Sequence, residues 1–158
     1  MVKIINEYTI RLFMHRDMDP ISDILKRIGW AHQSVEGERK SIESLKDAED
    51  GEVFVAIRGV DIAGFIHVQH LRWNQLSYIH CLAVSPDCRR EGVALQLTSH
   101  IEQIAQARGN RGVFMDTPID NHGAIAFYEA QAYAEAYIMP SYYEDGVDGV
   151  AYIKLFKT

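Results

Sequence analysis

Basic residues are in short supply in this chain. Sixteen Lys and Arg stand against twenty-two Asp and Glu, a formal net charge of −6. A protein that neutralises many nucleic-acid phosphates needs a basic face, so this balance argues against a nucleic-acid partner and suits a cationic one. Cysteine is scarcer still. Cys81 and Cys88 lie seven apart, which gives neither a CxxC motif nor a disulfide framework, and reduced thiols are expected. Long apolar runs are missing as well: none approaches the ~20 residues that cross a bilayer. The first residues, MVKIINEYTIRLF, lack the apolar stretch and small residues of a secretory leader. The expectation is a cytoplasmic protein with no membrane partner. The seven histidines show no ligand spacing such as HExxH, so no metal is expected. No internal repeat or low-complexity tract is present.

Hydrophobic residues make up 47% and charged residues 24% of the 158, ordinary values for a globular chain. One domain, 1–158, is expected, large enough to bury roughly two-thirds of its unfolded surface without staples. Tyr8 to Met14 reads as a first strand. Asp19-Pro20 followed by Ile21, Ile24, Leu25 and Ile28 reads as a capped amphipathic helix closed by Gly29, and a more polar helix follows from about Ser34 to Ala48. The period then changes. Glu52 to Arg58, Ile62 to Leu71 and Gln75 to Val84 read as three consecutive antiparallel strands with turns at 59–61 and 72–74. Ala94, Leu97, Ile101, Ile104 and Ala105 fall at helical spacing before Arg108-Gly109. Val113 to Thr117 is a short strand ended by Pro118, Asn121 caps a helix through Gln131, and strands near Tyr133 to Met139 and Val150 to Phe156 finish the chain. The expected fold class is α+β: a mixed, mostly antiparallel sheet flanked by helices, with one parallel crossover.

The stretch YIHCLAVSPDCRREGVA, Tyr78 to Ala94, carries the chemistry. An apolar strand runs through a short Pro-containing loop into a helix whose first turn holds Gly92 and Ala94. Such a helix start leaves backbone N–H groups unpaired and aimed at one spot, and that spot suits a phosphate. The plainer alternative is a strand-to-helix turn with glycine for geometry.

Arg89-x-x-Gly92-x-Ala94, directly after a strand ending Leu82-Ala83-Val84, resembles the pyrophosphate loop of the GCN5-related N-acetyltransferase superfamily. A second element of that family, Asn then Ala then Tyr on a helix, is matched by Asn121, Ala124 and Tyr128. The resemblance covers nearly the whole chain and implies the family's acyl-coenzyme A fold. It implies acetyl-CoA as donor and no metal. Backbone groups from Arg90 through Glu91, Gly92, Val93, Ala94 and Leu95 would hold the coenzyme A diphosphate, with Arg89 or Arg90 adding charge. Backbone groups of Leu82, Ala83 and Val84 would pair with the pantetheine arm as an added strand does. Asn121 and Tyr128, seven apart, would face the coenzyme. Many relatives form homodimers, so a homodimer is open too.

Acetyl transfer from a thioester needs a neutral amine, a site for oxyanion charge and a proton for the departing thiolate. The resemblance makes Tyr128 the acid; without it, Tyr128 reads as a core aromatic. A phenol near pKa 10 giving a proton to a thiolate near 8.5 is uphill by about 2 kcal/mol, so Tyr128 could instead only hydrogen-bond the sulfur. On the strand side, alternation puts Tyr78, His80 and Leu82 on one face and Ile79, Cys81 and Ala83 on the other. Tyr78 and His80 could share a water with the incoming amine. The family often has a glutamate where Tyr78 stands, a histidine inside a strand also has a purely structural reading, and Asp116 on the next strand is a comparable candidate base. Cys81 reads as a small core residue. The segment SYYEDGVDGVAYIKLF is similar to the tyrosine pair and Asp-Gly hairpin of N-terminal acetyltransferases related to the ribosomal-protein alanine enzymes. Tyr142 and Tyr143 could then line the acceptor slot, with Glu144, Asp145 and Asp148 attracting its amine; a solvated turn is the alternative. Ala132-Tyr133 stands where the family usually has Gly-Phe. Two functions follow: direct N-acetylation of a protein or peptide N-terminus or a small amine, or a non-catalytic acyl-CoA sensor.

Overall fold

The computed structural model describes residues 8–157. Period-two alternation and helical spacing resolve into seven strands and four helices in chain order: β1 (Thr9–Leu12), α1 (Met18–Arg27), α2 (His32–Leu45), β2 (Gly51–Arg58), β3 (Asp61–His70), β4 (Leu76–Val84), α3 (Val93–Ala107), β5 (Gly112–Pro118), α4 (His122–Ala130), β6 (Ala134–Met139) and β7 (Gly149–Leu155). The strands form one mixed sheet ordered β1-β2-β3-β4-β5-β7-β6. β1/β2, β2/β3, β5/β7 and β6/β7 are antiparallel, while β4 and β5 run parallel. The single parallel crossover expected from the sequence is therefore present. Among the described residues, no helix is long and apolar enough to cross a membrane.

The chain divides into two compact units. The first runs up to Gln69 and includes Cys81–Ile101. Its core gathers Ile21, Ile24 and Leu25 of α1 and Val35 and Ile42 of α2 over Val53, Val55, Phe65, Cys81 and Ala83 of the strands. Each fully buried aliphatic or aromatic side chain there contributes about 1.5–3 kcal/mol. On the opposite face, Phe54 meets His100 of α3 edge to face at 4.6 Å. The second unit comprises His70–His80 and Glu102 onward. In it β5 lies between the first half of β4 and β7, with Leu76, Ile79, Val113, Met115, Val150, Ala151 and Tyr152 buried.

Boundaries in the first third of the chain differ from expectation. The first helix begins at Met18, not at an Asp19 cap. Asp17 sets that start: its carboxylate takes a fork from Arg11 (2.7 and 2.9 Å) and the amide of Met14 (2.7 Å), which folds His15–Asp17 into a 3-10 turn. Pro20 then sits in the first turn, where its missing N–H is harmless. The same Asp17 bond on Met14 ends β1 early. The second helix starts at His32, two residues before Ser34, and stops at Leu45. Gly29 does close α1, with Trp30 N–H reaching Leu25 O at 3.0 Å.

Candidate active site

Strand alternation along β4 holds: Tyr78, Leu82 and Val84 are partly exposed and His80 exposed, whereas Ile79, Cys81 and Ala83 are buried. Burial, and then the charge of Glu38, pushes the Cys81 thiol well up, which fits a core residue.

β4 is followed by Ser85, whose amide donates to Ala63 O (2.7 Å) and whose hydroxyl caps the Pro86–Cys88 turn through the Asp87 amide. Arg27 reaches across to the same turn, 3.0 Å from the Asp87 carboxylate. The chain then takes two left-handed residues, Arg90 (φ +64°) and Gly92 (φ +83°), before α3 starts at Val93. Only glycine adopts that φ at Gly92 without strain, and a Cβ built there meets no protein atom within 4 Å. The first intrahelical bond runs from Gln96 N–H to Gly92 O. The amides of Val93, Ala94 and Leu95 thus have no carbonyl within the helix to pair with, at its positive end. Arg89 and Arg90 are exposed on the loop. This is an anion-binding arrangement of the kind a diphosphate fills.

The second unit brings other site residues together around Asp116 of β5. Its two carboxylate oxygens are taken by two phenols: Tyr78 OH donates to Oδ2 at 2.5 Å and Tyr143 OH donates to Oδ1 at 2.8 Å. Burial, reinforced by the bond to Asp116, raises both phenols far above their ordinary range, so both act as donors at neutral pH. Tyr142 packs edge to face on Tyr143 at 4.9 Å, and the Asp116 charge, with burial second, raises its phenol too. Tyr78 stacks on Phe114 at 4.7 Å and leans on His80 at 4.4 Å. Together these rings surround one carboxylate that keeps spare lone pairs for a further donor.

The Asp145-Gly146 turn is formed, with Tyr143 N–H donating to Val147 O and Gly146 left-handed. Glu144 and Asp145 are exposed at its tip, but the Asp148 carboxylate accepts from Ser141 N–H at 2.9 Å and helps close the loop. Asn121 caps α4: its Oδ1 accepts from Ala124 N–H (3.2 Å) and its amide donates to Thr117 Oγ1 (3.3 Å). Asn121 is exposed, while Tyr128 is 3% exposed between the rings of Phe127 and Tyr133. Equal helical spacing therefore puts the two in different surroundings. Ala132 takes the left-handed conformation (φ +69°) that ends α4.

Residues that the sequence did not single out lie beneath the loop. Tyr8, Arg27 and Arg58 all bond to it, and no local motif marks them, because they come from three distant segments.

Similarity to known proteins is found in sequence and in structure. N-alpha-acetyltransferase 30 of Schizosaccharomyces pombe is 32% identical over 76 residues, 48% of this chain and 51% of that one. The chain spans about half the length of the curated relatives it matches. The ribosomal-protein-S18-alanine N-acetyltransferase of Escherichia coli superposes with a TM-score of 0.79 at 23% identity, covering 96% of each chain. An assigned streptothricin acetyltransferase of Bacillus anthracis, solved with acetyl coenzyme A, superposes with a TM-score of 0.67 at 21% identity over 73% of this chain and 68% of that one. Both superpositions show a shared fold. Residues 19–133 match the sequence profile described as the Acetyltransferase (GNAT) family, so this chain belongs to that family.

Proposed function

We propose that the protein transfers an acetyl group directly from acetyl-CoA to a primary amine, either the N-terminus of a protein or peptide or a small amine. The observation that carries this reading is the Ser85–Leu95 segment, where a capped turn, two left-handed residues and a free helix start converge in a chain of this family. The amides of Val93, Ala94 and Leu95 receive the diphosphate, and Arg89 and Arg90 add charge. Leu82, Ala83 and Val84 offer the pantetheine arm their backbone: the β4/β5 register runs only from Leu76↔Gly112 to Ile79↔Met115, and they lie beyond it on the strand.

Asp116 receives the amine. An arriving ammonium pairs with its carboxylate beside the rings of Tyr78, Tyr142 and Tyr143, a setting favourable to a cation. The ammonium must lose one proton to solvent before the nitrogen can attack the thioester carbonyl. An α-amine near pKa 8 is neutral often enough at neutral pH; a lysine near 10.4 is not. As the N–C bond forms, the nitrogen's two remaining protons become strongly acidic, and Asp116 takes one of them directly or through a water that Tyr78 and His80 share, the other staying on the amide. The C–S bond breaks and the thiolate is protonated or hydrogen-bonded by Tyr128. The balance is one amine and one thioester to one amide and one thiol. The acidic net charge of the chain is in keeping with a cationic acceptor.

Calorimetric titration with acetyl-CoA and, separately, pantetheine tests the donor half. Binding that needs the diphosphate and is lost in Gly92→Val is the expected result; equal affinity of Gly92→Val and the natural protein would place the diphosphate elsewhere. Tyr128→Phe should turn over at least tenfold more slowly with near-normal coenzyme affinity, and unchanged turnover would remove Tyr128 from the chemistry.

A further inference from the structure

Glu91 is a carboxylate inside a loop that binds an anion. Left free, it would repel a diphosphate at the amides two to four residues away in sequence. The structure ties it down instead. Arg58, at the end of β2, donates from Nη1 to a Glu91 carboxylate oxygen at 3.0 Å, and the Tyr8 hydroxyl donates to the same oxygen. The Glu91 side chain is 25% exposed and that of Arg58 46%. The Arg58 guanidinium also lies 5.8 Å over the Tyr8 ring, and its Nη2 reaches the Cys88 sulfur at 3.7 Å. Burial, with the Glu91 bond second, pushes the Tyr8 phenol up to about 12, so it stays a donor across the physiological range. Arg58 and Tyr8 come from separate strand ends and converge on this one side chain.

We propose that Arg58, with Tyr8, is a positioning residue that neutralises Glu91 and holds its carboxylate off the diphosphate, so that the loop's amides present positive charge alone. This rests on the reading of Ser85–Leu95 as the diphosphate site. It assigns Arg58 an effect on coenzyme affinity without contact with the coenzyme.

A merely mechanical anchor and an electrostatic one differ in what a second substitution does. Removing Arg58 releases the Glu91 charge; removing that charge as well takes the repulsion away. The test is calorimetric affinity for coenzyme A in the natural protein, Arg58→Gln, Glu91→Gln and the double variant, with pantetheine as a diphosphate-free control and melting temperatures alongside. Arg58→Gln is expected to bind coenzyme A roughly tenfold more weakly, and the double variant to return to within about threefold of the natural protein. Glu91→Gln alone binds at least as tightly as the natural protein, because Arg58 is then uncompensated. Pantetheine affinity stays constant throughout. A double variant as weak as Arg58→Gln, or a weakened Glu91→Gln, overturns the proposal, since either means that the network only props the loop. Failure of the natural protein to bind coenzyme A would overturn the diphosphate reading first and the proposal with it. If Arg58→Gln melts below the assay temperature, Arg58→Lys tests the charge instead: it keeps the charge, loses the Nη2 reach to Cys88, and is expected to weaken binding by no more than about threefold, a tenfold loss overturning the proposal.

Discussion

Asp116 is where two phenols and a carboxylate meet, and its substitution has the sharpest consequence at the residue scale. Asp116→Asn keeps the shape but only one acceptor oxygen, so it can accept from one of Tyr78 and Tyr143 and not both, and it neither pairs with an ammonium nor accepts a proton. Steady-state kinetics should show kcat/KM for the amine falling at least about 100-fold. Coenzyme affinity by calorimetry should stay within about twofold. Gly149 acts on the same cluster through space: a Cβ there would sit 2.9 Å from Cδ1 of Tyr142 and 3.1 Å from its Cβ. Gly149→Ala therefore displaces the Tyr142 ring, costing about 1–3 kcal/mol by thermal unfolding and raising KM for the amine several-fold. Ala132 works in the other direction. Its left-handed backbone strains any residue with a Cβ, so Ala132→Gly should stabilise by about 1 kcal/mol, some 2–4 °C in melting temperature. A fall in melting temperature would show that the strain is absent.

At the scale of elements, the junction from β1 into α1 is fixed by one buried carboxylate. Burial alone would raise the Asp17 carboxyl, but the Arg11 fork and the Met14 amide outweigh it and hold it below the ordinary carboxylate range. A carboxyl lowered on folding adds stability above its unfolded pKa, and that stability fades as pH falls through the lower folded value. Asp17→Asn should thus cost about 2 kcal/mol at pH 7, with Arg11 left partly able to resolvate, and the gap to the natural protein should close well below pH 4. A gap independent of pH would mean that Asp17 matters only through its shape. Asp17 also shows what the sequence conceals. Local pattern favours a cap at Asp19, just before Pro20. The tertiary partner Arg11, invisible to local pattern, decides for the 3-10 turn and an earlier start. The other elements were legible because their periods are unambiguous: β2, β3 and β4 fall within one or two residues of expectation, and Asn121 caps α4 as read.

At the scale of the whole molecule, legibility divides along the same line. The Ser85–Leu95 loop is written in consecutive residues, so Gly92 and the start of α3 could be read directly. The Asp116 cluster draws on β4, β5 and the Tyr142-Tyr143 turn, and Arg58 and Tyr8, fifty residues apart in sequence, meet at one end of the paired β1 and β2. Only folding brings such residues together, which is why Tyr78, Asp116 and the tyrosine pair could be singled out one by one but not as one cluster. The central claim is transfer, and the most direct measurement is release of free coenzyme A thiol from acetyl-CoA. The natural protein would be incubated with free-amine peptides, N-terminally blocked peptides of the same sequence, polyamines and amino sugars. The account predicts thiol release above the amine-free rate for at least one free amine, with one acetyl group on that amine by mass spectrometry and none on the blocked peptide. Coenzyme binding without amine-dependent release across the panel would contradict it and leave a protein that senses acyl-coenzyme A without transferring.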